Sequence, residues 1–387
     1  DQRHRSVLPQ VDRHRPDPPP APVSAAPDAG TAARTDVLGL PRAELAALLA
    51  PVVDRPYRVE QVYRGLYEQG AKSFDEMTAL SRTLRAELAE RFRIGLPAVE
   101  SRHVSTDGTT KYLFRLVDGA TVEAVDIPDG ARRTFCISSQ AGCAMACRFC
   151  VTGFWGAGRD LTAGEIVGQV LAIAGRLQAQ QSLNLVFMGM GEPLLNLDAV
   201  GAAIDVLGEW ISLRRITVST VGLVPGIRRM AGWPRRPNLA VSLHAPDDER
   251  RSELMPVNRS WPLAELMAAL REFPLEPNRK LTFEYLLIAG TNDAPADADA
   301  LARLLAGSGL TTRAKVNLIP VNPDPVLGER MVPPPLEVVT AFRDRLRERG
   351  LVATVRRRRG DDVSAACGQL RAFGRDPRGF RRSNLSL

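Results

Sequence analysis

The sequence has 387 residues, of which 44% are hydrophobic and 25% charged, a composition suited to one large globular domain with a smaller one. No apolar run reaches the roughly 18 residues needed to cross a bilayer, and no basic stretch followed by an apolar one opens the chain, so we predict a cytoplasmic protein with no membrane partner. The net charge of +7 favours contact with a polyanion such as nucleic acid. The five cysteines fit a reducing compartment and metal or catalytic use better than a disulfide framework.

The first 36 residues are rich in Pro, Arg and Ala and contain almost no large aliphatic side chains. Such a segment cannot bury enough apolar surface to fold, so we predict a disordered tail over residues 1–36. His4 and His14 lie in this tail, where two solvated histidines are a better interpretation than a metal site.

Residues 37–100 have the apolar spacing of helices. One stripe comprises Val59, Val62, Tyr63, Leu66 and Tyr67, and a second comprises Leu84, Leu88 and Phe92. Ser73 and Glu76 have the spacing of a capping box for the turn between the stripes. We predict a small helical accessory domain. Four of its basic side chains indicate either a solvated surface or contact with RNA: Arg58, Arg64, Arg82 and Arg85.

Residues 101–131 change to a strand pattern. Two β-rich runs, residues 112–117 and 121–127, flank the pair Asp118-Gly119, which is a strong signal of a β-hairpin. Glu123 lies inside the second run. We predict a hairpin extension ahead of the main domain.

Residues 132–358 alternate between strand and helix patterns with short links. The predicted strands cover residues 134–138, 183–188, 216–219, 239–243, 281–287, 315–319 and 352–355. The predicted helices cover residues 163–178, 197–209, 225–231, 262–273, 296–307 and 335–349. Repeated βα units imply a parallel sheet with right-handed crossovers. Because six units are too few for a closed eight-stranded barrel, we predict an α/β fold with an open, partial six-unit βα barrel.

Unusual residues follow the predicted strands, at the barrel edge where βα enzymes carry their active sites. Three cysteines, Cys143, Cys147 and Cys150, follow the first strand with C-x₃-C-x₂-C spacing. Three thiolates can hold an iron–sulfur cluster and leave one iron open to substrate. The alternative is a structural zinc site with Cys136 as the fourth ligand, although the spacing differs from paired zinc knuckles.

These residues resemble a known family. The cysteine motif with Phe149 before its last cysteine is the signature of the radical S-adenosylmethionine (SAM) enzymes, and Gly189-Met-Gly-Glu-Pro193 resembles the segment that holds the methionine amino group of SAM in that superfamily. The bacterial dual-specificity adenine-C2 RNA methyltransferases are similar over residues 37–371. The shared segments are residues 134–143, 241–246, 254–258, 316–320 and 359–370.

The resemblance implies two cofactors, a [4Fe-4S] cluster and SAM. It implies that the three clustered cysteines hold the cluster. The residues matching the family's SAM contacts are Gly191, Glu192, Ser219, Ser242, Leu243, His244 and Asn322. One position departs from the family, since Val221 stands where many relatives have a small polar residue. His244 could instead be a buried core histidine.

The resemblance also implies a catalytic role for two other cysteines and one carboxylate. Cys367 would accept a methyl from one SAM, lose a hydrogen to the radical made from a second SAM, and bond to adenine through the new carbon. Cys136 would then form a disulfide with Cys367 and release the product. Glu123 would take the adenine proton. The plainer alternatives are a buried apolar Cys367 and a solvated Glu123.

The C-terminal segment, residues 359–387, is predicted to be a loop carrying Cys367 followed by a basic tail. The run Arg356 to Arg359 and the tail arginines could hold RNA phosphates: Arg371, Arg375, Arg378, Arg381 and Arg382. By resemblance the partners are large-subunit ribosomal RNA, tRNA and an electron donor such as a flavodoxin-type protein, with the enzyme a monomer. The alternatives are methylation of adenosine carbon 8 with antibiotic resistance, and a non-enzymatic, zinc-stabilised RNA-binding protein.

Overall fold

A computed structural model of the chain describes residues 34–177, 182–328 and 331–370. The predicted disordered tail up to residue 33 and the tail arginines from Arg371 onward lie outside the described residues. Two residues assigned to the tail are ordered, because Thr35–Asp36 form strand β1, which pairs in parallel with β2, Phe92–Arg93.

Three helices follow β1 and confirm the helical pattern: α1, Arg42–Leu49; α2, Pro56–Tyr67; and α3, Arg82–Arg91. The predicted stripe of α2 is its buried face, and Tyr63 is fully buried. This segment shares one hydrophobic core with the rest of the described chain. Tyr63 donates a hydrogen bond to Glu209 (2.9 Å) and stacks on Trp210, so α2 is fixed to the βα region.

The predicted capping box is wrong. Residues Phe74–Glu76 form only one 3₁₀ turn, and the Ser73 side chain makes no capping bond. The Glu76 carboxylate instead accepts from the backbone N–H of Lys72 (2.9 Å). The side chain that caps α3 is Ser81, whose hydroxyl accepts from the backbone N–H of residue 84.

An antiparallel extension precedes the barrel and consists of β3, Ala98–Val104, β4, Thr110–Arg115, and β5, Thr121–Asp129. The predicted hairpin joins β4 and β5. Gly119, in the turn, has a left-handed backbone conformation with φ of +83°. The Asp118 carboxylate accepts a hydrogen bond from the backbone N–H of Ala120 (3.1 Å). Strand β3 was not predicted, because it is the exposed edge of the sheet and shows no apolar alternation.

The remaining strands follow in chain order: β6, Arg132–Cys136; β7, Leu183–Phe187; β8, Ile216–Thr220; β9, Asn238–Ser242; β10, Leu281–Leu287; β11, Ala314–Pro320; and β12, Val352–Val355. Each pairs in parallel with the next, and β6 pairs antiparallel with β5. Among the described residues β3 and β12 are the two ends of one continuous sheet. The predicted open βα architecture is confirmed.

The accompanying helices are α4, Val151–Phe154; α5, Ala163–Ala174; α6, Leu197–Leu207; α7, Val224–Ala231; α8, Asp248–Leu254; α9, Leu263–Glu272; α10, Pro295–Gly307; and α11, Leu336–Glu348. Six of these match the six predicted helices, whereas the short helices α4 and α8 were not predicted. A capping box of Thr162 and Glu165 begins α5. In the described part of the chain every helix is too short or too polar to span a bilayer.

Candidate active site at the carboxyl ends of the parallel strands

One cleft collects nearly all of the predicted site residues. It lies where the parallel strands end. Its lining includes Cys143, Cys147, Cys150, Gly191, Glu192, Ser219, Ser242, His244, Asn322 and Cys367. These side chains come from the ends of six different strands and the loops that follow them, so the fold rather than the sequence order brings them together. Leu243 is the exception among the predicted SAM contacts, since its side chain is fully buried in the core.

The cysteine loop between β6 and α4 is shaped by tight backbone contacts. Gly142 has φ of +131°, and a Cβ there would lie 2.6 Å from the backbone nitrogen of Gly158. Ala146 takes the left-handed conformation, with φ of +51°. The N–H of Cys150 donates to the carbonyl of Cys147 (3.2 Å). The sequence therefore turns back on itself and presents all three thiols to the same cleft.

Burial changes the ionisation of these thiols. Burial, together with the negative charges of Cys150 and Glu192, raises the pKa of Cys143 to about 12. Burial and the two neighbouring thiolates raise the pKa of Cys147 well above its ordinary value. With their pKa values raised, the three groups are neutral thiols on their own, and a bound metal centre would supply the positive charge that stabilises their thiolate forms. Within the described residues, no group of acidic, histidine and cysteine side chains is close enough to hold a single metal ion.

Glu192 is a buried carboxylate fixed by backbone donors. Its two oxygens accept from the N–H groups of Leu194 (3.0 Å) and Val221 (2.8 Å). Burial raises its pKa to about 7, while these backbone bonds act in the opposite direction. Val221, the residue that departs from the family pattern, thus holds Glu192 through its backbone, and that bond does not depend on its side chain.

His244 is both a core residue and a cleft residue. Its Nδ1 accepts from the N–H of Leu286 (3.0 Å), and its ring meets Phe149 edge-on at 4.5 Å. Burial, together with the positive charge of Arg251, lowers its pKa to about 3. The ring is therefore neutral, with its proton on Nε2. The left-handed backbone at His244, φ +60°, aims this strand-end residue into the cleft.

Hydrogen bonds attach the Cys367 loop to the cysteine loop. The N–H of Val151 donates to the carbonyl of Gly368 (2.7 Å), and the hydroxyl of Thr152 donates to the carbonyl of Leu370 (2.7 Å). The amide of Asn322 donates to the carbonyl of Cys367 itself (3.1 Å). These bonds hold Cys367 over the cleft as a free thiol, rather than as a buried apolar residue.

A second cavity lies beside the first. Its lining includes Cys136, Met188, Cys367 and the run Arg356 to Arg359. Cys367 and Arg356 line both cavities. Burial raises the pKa of the Cys136 thiol to about 12. Cys136 faces Cys367 rather than the three clustered thiols, so its position does not favour it as a fourth zinc ligand.

Glu123 lies outside both cavities. It is fully buried on β5, and its carboxylate forms an ion pair with Lys111 on β4 (3.2 Å). Lys111 also donates to the carbonyl of Ser364, which belongs to the Cys367 loop (3.3 Å). The solvated alternative for Glu123 is wrong, and the ion pair connects this carboxylate to the loop that carries Cys367.

Two charged residues of the site, Glu284 and Arg251, were missed by sequence reasoning, whereas Arg356 was predicted only as part of a run that could hold RNA phosphates. Arg356 borders both cavities, and the thiolate of Cys367 raises its pKa. Glu284 lines the first cleft, accepts from Asn317 (2.8 Å), and has its pKa raised by burial. A lone carboxylate in the apolar run of β10 was a usable signal for Glu284. Arg251 lies on the unpredicted helix α8, so no signal was available for it.

The basic residues of the helical region are mostly paired locally. Arg58 pairs with Asp54 (2.7 Å) and Arg64 with Glu68 (2.8 Å). Arg85 donates to a backbone carbonyl, that of Asp75. These contacts favour the solvated-surface interpretation for this face. Arg82 is exposed, and contact between Arg82 and RNA stays a prediction.

Comparisons with known proteins find similarity over most of the chain. The model of the radical SAM superfamily matches residues 137–351, and that of the ribosomal RNA large subunit methyltransferase N-terminal domain matches residues 35–94. The dual-specificity RNA methyltransferase RlmN of Anaeromyxobacter dehalogenans is 47% identical, covering 91% of this chain and 96% of the relative. The protein of the same name from Syntrophobacter fumaroxidans is 47% identical, covering 84% of this chain and 95% of the relative.

A solved structure is similar as well. The crystal structure of a radical SAM methyltransferase from Sphaerobacter thermophilus has a TM-score of 0.80 and 46% identity, and it covers 87% of this chain and 99% of the solved chain. The open βα sheet and the three-cysteine cleft thus define an enzyme of the radical SAM superfamily. Within that superfamily, the chain belongs to the RlmN family of SAM-dependent RNA methyltransferases.

Proposed function

We propose that this enzyme methylates carbon 2 of adenosine in large-subunit ribosomal RNA and in tRNA beside the anticodon, using two SAM molecules per turnover. The dual specificity in the names of its relatives supports two RNA substrates. Carbon 2 of adenine is electron-poor and has no acidic proton, so it cannot attack the SAM methyl directly. A radical route is therefore needed.

The single observation that carries this proposal is the position of Cys367. Its side chain borders both the cleft with the three clustered thiols and the second cavity with its arginines. A thiol in that place can exchange a group between a cofactor on one side and an RNA base on the other. Neither a structural zinc site nor a simple RNA-binding surface needs such a residue.

The donor set fits an iron–sulfur cluster. Cys143, Cys147 and Cys150 are free thiols that face one cleft, and three thiolate ligands would leave one iron of a cubane open for SAM. When bound, the cluster and SAM supply a one-electron cleavage that produces a carbon-centred radical. The protein limits the access of water to this chemistry, because Cys147 is buried and Cys143 and Cys150 are half-buried.

The proposed SAM contacts divide by chemistry. Glu192 offers a carboxylate for the amino group of the methionine part, and Gly191 lets the chain pass closely, since a Cβ there would lie 2.5 Å from Gln140. Ser219, Ser242, Asn322 and the Nε2–H of His244 supply neutral hydrogen-bonding groups. Leu243 can contribute only through its backbone or by packing, because its side chain lies in the core.

The proposed chemistry of the two remaining cysteines uses the second cavity. Cys367 accepts the methyl on its sulfur and later carries the carbon that bonds to adenine. Cys136 then attacks that sulfur and breaks its bond to the carbon, which takes up a proton and becomes the methyl group of the released base. The Cys136–Cys367 disulfide stays on the enzyme until an external thiol reductant opens it. Glu123 is the proposed base for the adenine proton, with Lys111 lying between it and the Cys367 loop.

The proposed RNA face is the rim of the second cavity. Arg357 and Arg358 are exposed there, and Arg358 also donates to the carbonyl of Val321 (2.9 Å) and lies 3.9 Å from the Asp361 carboxylate. Arg359 pairs with Asp129 (3.2 Å). The net charge of +7 suits a polyanionic partner. We further propose a cytoplasmic monomer that receives its electrons from a flavodoxin-type protein.

Neutralising both Arg357 and Arg358 with alanine should weaken RNA binding and flatten its salt dependence. Each lost phosphate contact lowers the slope of log affinity against log salt by about 0.7 to 0.9, so the double variant should lose about 1.5. Filter binding across a salt series measures this slope. The matched control is the pair Arg271→Ala and Arg303→Ala, exposed on α9 and α10. Equal slopes for the two double variants would contradict the proposed RNA face.

Glu192 should make SAM binding depend on pH. Because its pKa is raised to about 7, the carboxylate is mostly ionised above pH 7 and mostly protonated below it. A protonated Glu192 cannot accept from the SAM ammonium as strongly, so affinity should fall about eightfold from pH 7.5 to pH 6, as a single titration near 7 requires. Equilibrium dialysis against SAM would measure it. Glu192→Gln should bind SAM weakly at both pH values. If the SAM affinity of this variant depends on pH in the same way as that of the wild type, the assignment is refuted.

Mass spectrometry of RNA nucleosides tests the proposed function. A host lacking its own enzyme of this family should gain 2-methyladenosine in both ribosomal RNA and tRNA when it expresses this protein. Formation of 8-methyladenosine in ribosomal RNA would assign the carbon-8 alternative instead. The absence of any methylated adenosine, with a colourless zinc-containing protein, would support the non-enzymatic alternative.

A further inference from the structure

Arg251 on helix α8 is a completely buried cation, with 0% of its surface exposed. Its guanidinium donates to three neutral oxygens. They are Oδ1 of Asn258 (2.7 Å) and the carbonyls of Val221 (2.6 Å) and Ser242 (3.1 Å). Its Nε has no hydrogen-bond partner among the described residues.

Arg251 also lacks a carboxylate partner. Its neighbour Arg250 forms ion pairs with Asp247 and Asp297. Within residues 34–177, 182–328 and 331–370, no carboxylate lies within 4 Å of the Arg251 guanidinium. A buried charge that is compensated only by neutral oxygens is strongly destabilising. The negative charge of Asp248 acts on Arg251, but the two form no ion pair within 4 Å. The contrast between the adjacent arginines therefore indicates that a further negative group compensates Arg251.

The geometry places Arg251 at the cofactor cleft. Val221 and Ser242, whose carbonyls it holds, both line that cleft. The carboxyl end of α8 contacts the cysteine loop directly, because the N–H of Arg148 donates to the carbonyl of Leu254 (2.9 Å). Burial lowers the pKa of Arg251 to about 10, and the negative charge of Cys147 is the largest influence acting the other way.

We propose that Arg251 is the fixed counter-charge of the iron–sulfur cluster and raises its reduction potential. The inference rests on the proposed cluster at the three clustered cysteines. Reduction adds one electron from an external donor, and therefore one negative charge, to a centre that already carries three thiolates. A buried positive charge beside it stabilises the reduced form more than the oxidised form. Arg251 is a positioning residue, since it also ties the ends of β8 and β9 together.

Two substitutions separate charge from structure. Arg251→Lys keeps the positive charge but loses the planar guanidinium that bonds three oxygens. Arg251→Gln loses both the charge and the guanidinium. If the charge matters, the lysine variant should have the reduction potential of the wild type. The glutamine variant should have about tenfold less reduced cluster at a given potential, which corresponds to a reduction potential lower by about 59 mV for one electron. Arg250→Gln, with the same loss of charge on the same helix, should leave the potential unchanged.

The measurement is an anaerobic redox titration of the reconstituted protein, followed by electron paramagnetic resonance of the reduced cluster. Equal potentials in the lysine and glutamine variants would overturn the inference. So would a failure of both variants to take up iron while Arg250→Gln takes it up normally, because that pattern shows a purely structural role. A wild-type protein that forms no four-iron cluster would instead refute the proposed function.

Discussion

Replacing Cys136 with alanine should trap the enzyme covalently on its RNA substrate. Cys136 and Cys367 line the same cavity, and all five cysteines are free thiols, so Cys136 is available to resolve a bond between Cys367 and the base. Without that thiol the bond between Cys367 and RNA should persist. After one turnover, the majority of the active protein should migrate with RNA on a denaturing gel, against almost none for the wild type.

The control for this trap is the double variant Cys136→Ala with Cys367→Ala, which removes both partners and should give no adduct. Nuclease digestion and peptide mass spectrometry should place the nucleotide on Cys367. An adduct at another residue, or a Cys136→Ala enzyme that turns over freely, would show that Cys136 does not release the product.

Replacing Cys367 with alanine should abolish methylation, with a loss of about 10³-fold or more, as is usual when a covalent nucleophile is removed. The cluster should survive, because the three clustered thiols are separate residues and the bonds that hold the loop come from backbone carbonyls. The measurement is transfer of a labelled methyl group from SAM to RNA, with iron content measured in parallel.

The matched control is Ser364→Ala, in the same loop, whose backbone carbonyl still accepts from Lys111. This variant should keep most of its activity. Normal iron content with undiminished methyl transfer in Cys367→Ala would contradict the role of Cys367 as methyl carrier.

Most of the barrel was predictable from the sequence because its strands and helices have clear local periods. Strand β7 alternates buried and half-buried residues, and α5 has both a capping box and a glycine at its end. The cleft residues were predictable for a different reason. Parallel strands place their carboxyl ends at one edge, so motifs after successive strands, such as Glu192 after β7 and His244 after β9, must meet there.

The parts that failed depend on contacts between distant residues. Ser73 and Glu76 have the spacing of a capping box, but tertiary structure allows only one 3₁₀ turn at that point. The burial of Glu123 follows from its pairing with Lys111 on the neighbouring strand, which local patterns do not reveal. Strand β3 has no apolar face because it is an edge, so it carried no signal.

The charged residues around the cleft illustrate the same limit. Arg251 lies in a polar helix whose sequence suggests a solvated surface, yet it is completely buried by the ends of β8 and β9. Arg356 belongs to a run of four arginines in which only its neighbours Arg357 and Arg358 are exposed. Which arginine faces the thiols is decided by the register of β12, not by the composition of the run.

The most direct test of the account is reductive cleavage of SAM by the anaerobically reconstituted protein. After treatment with dithionite, the wild-type enzyme with SAM and RNA should form 5′-deoxyadenosine together with 2-methyladenosine. Cys147→Ala should form neither, because it lacks one of the three thiols that face the cleft and are the proposed cluster ligands. A reconstituted wild-type enzyme that methylates RNA without producing 5′-deoxyadenosine would contradict the account.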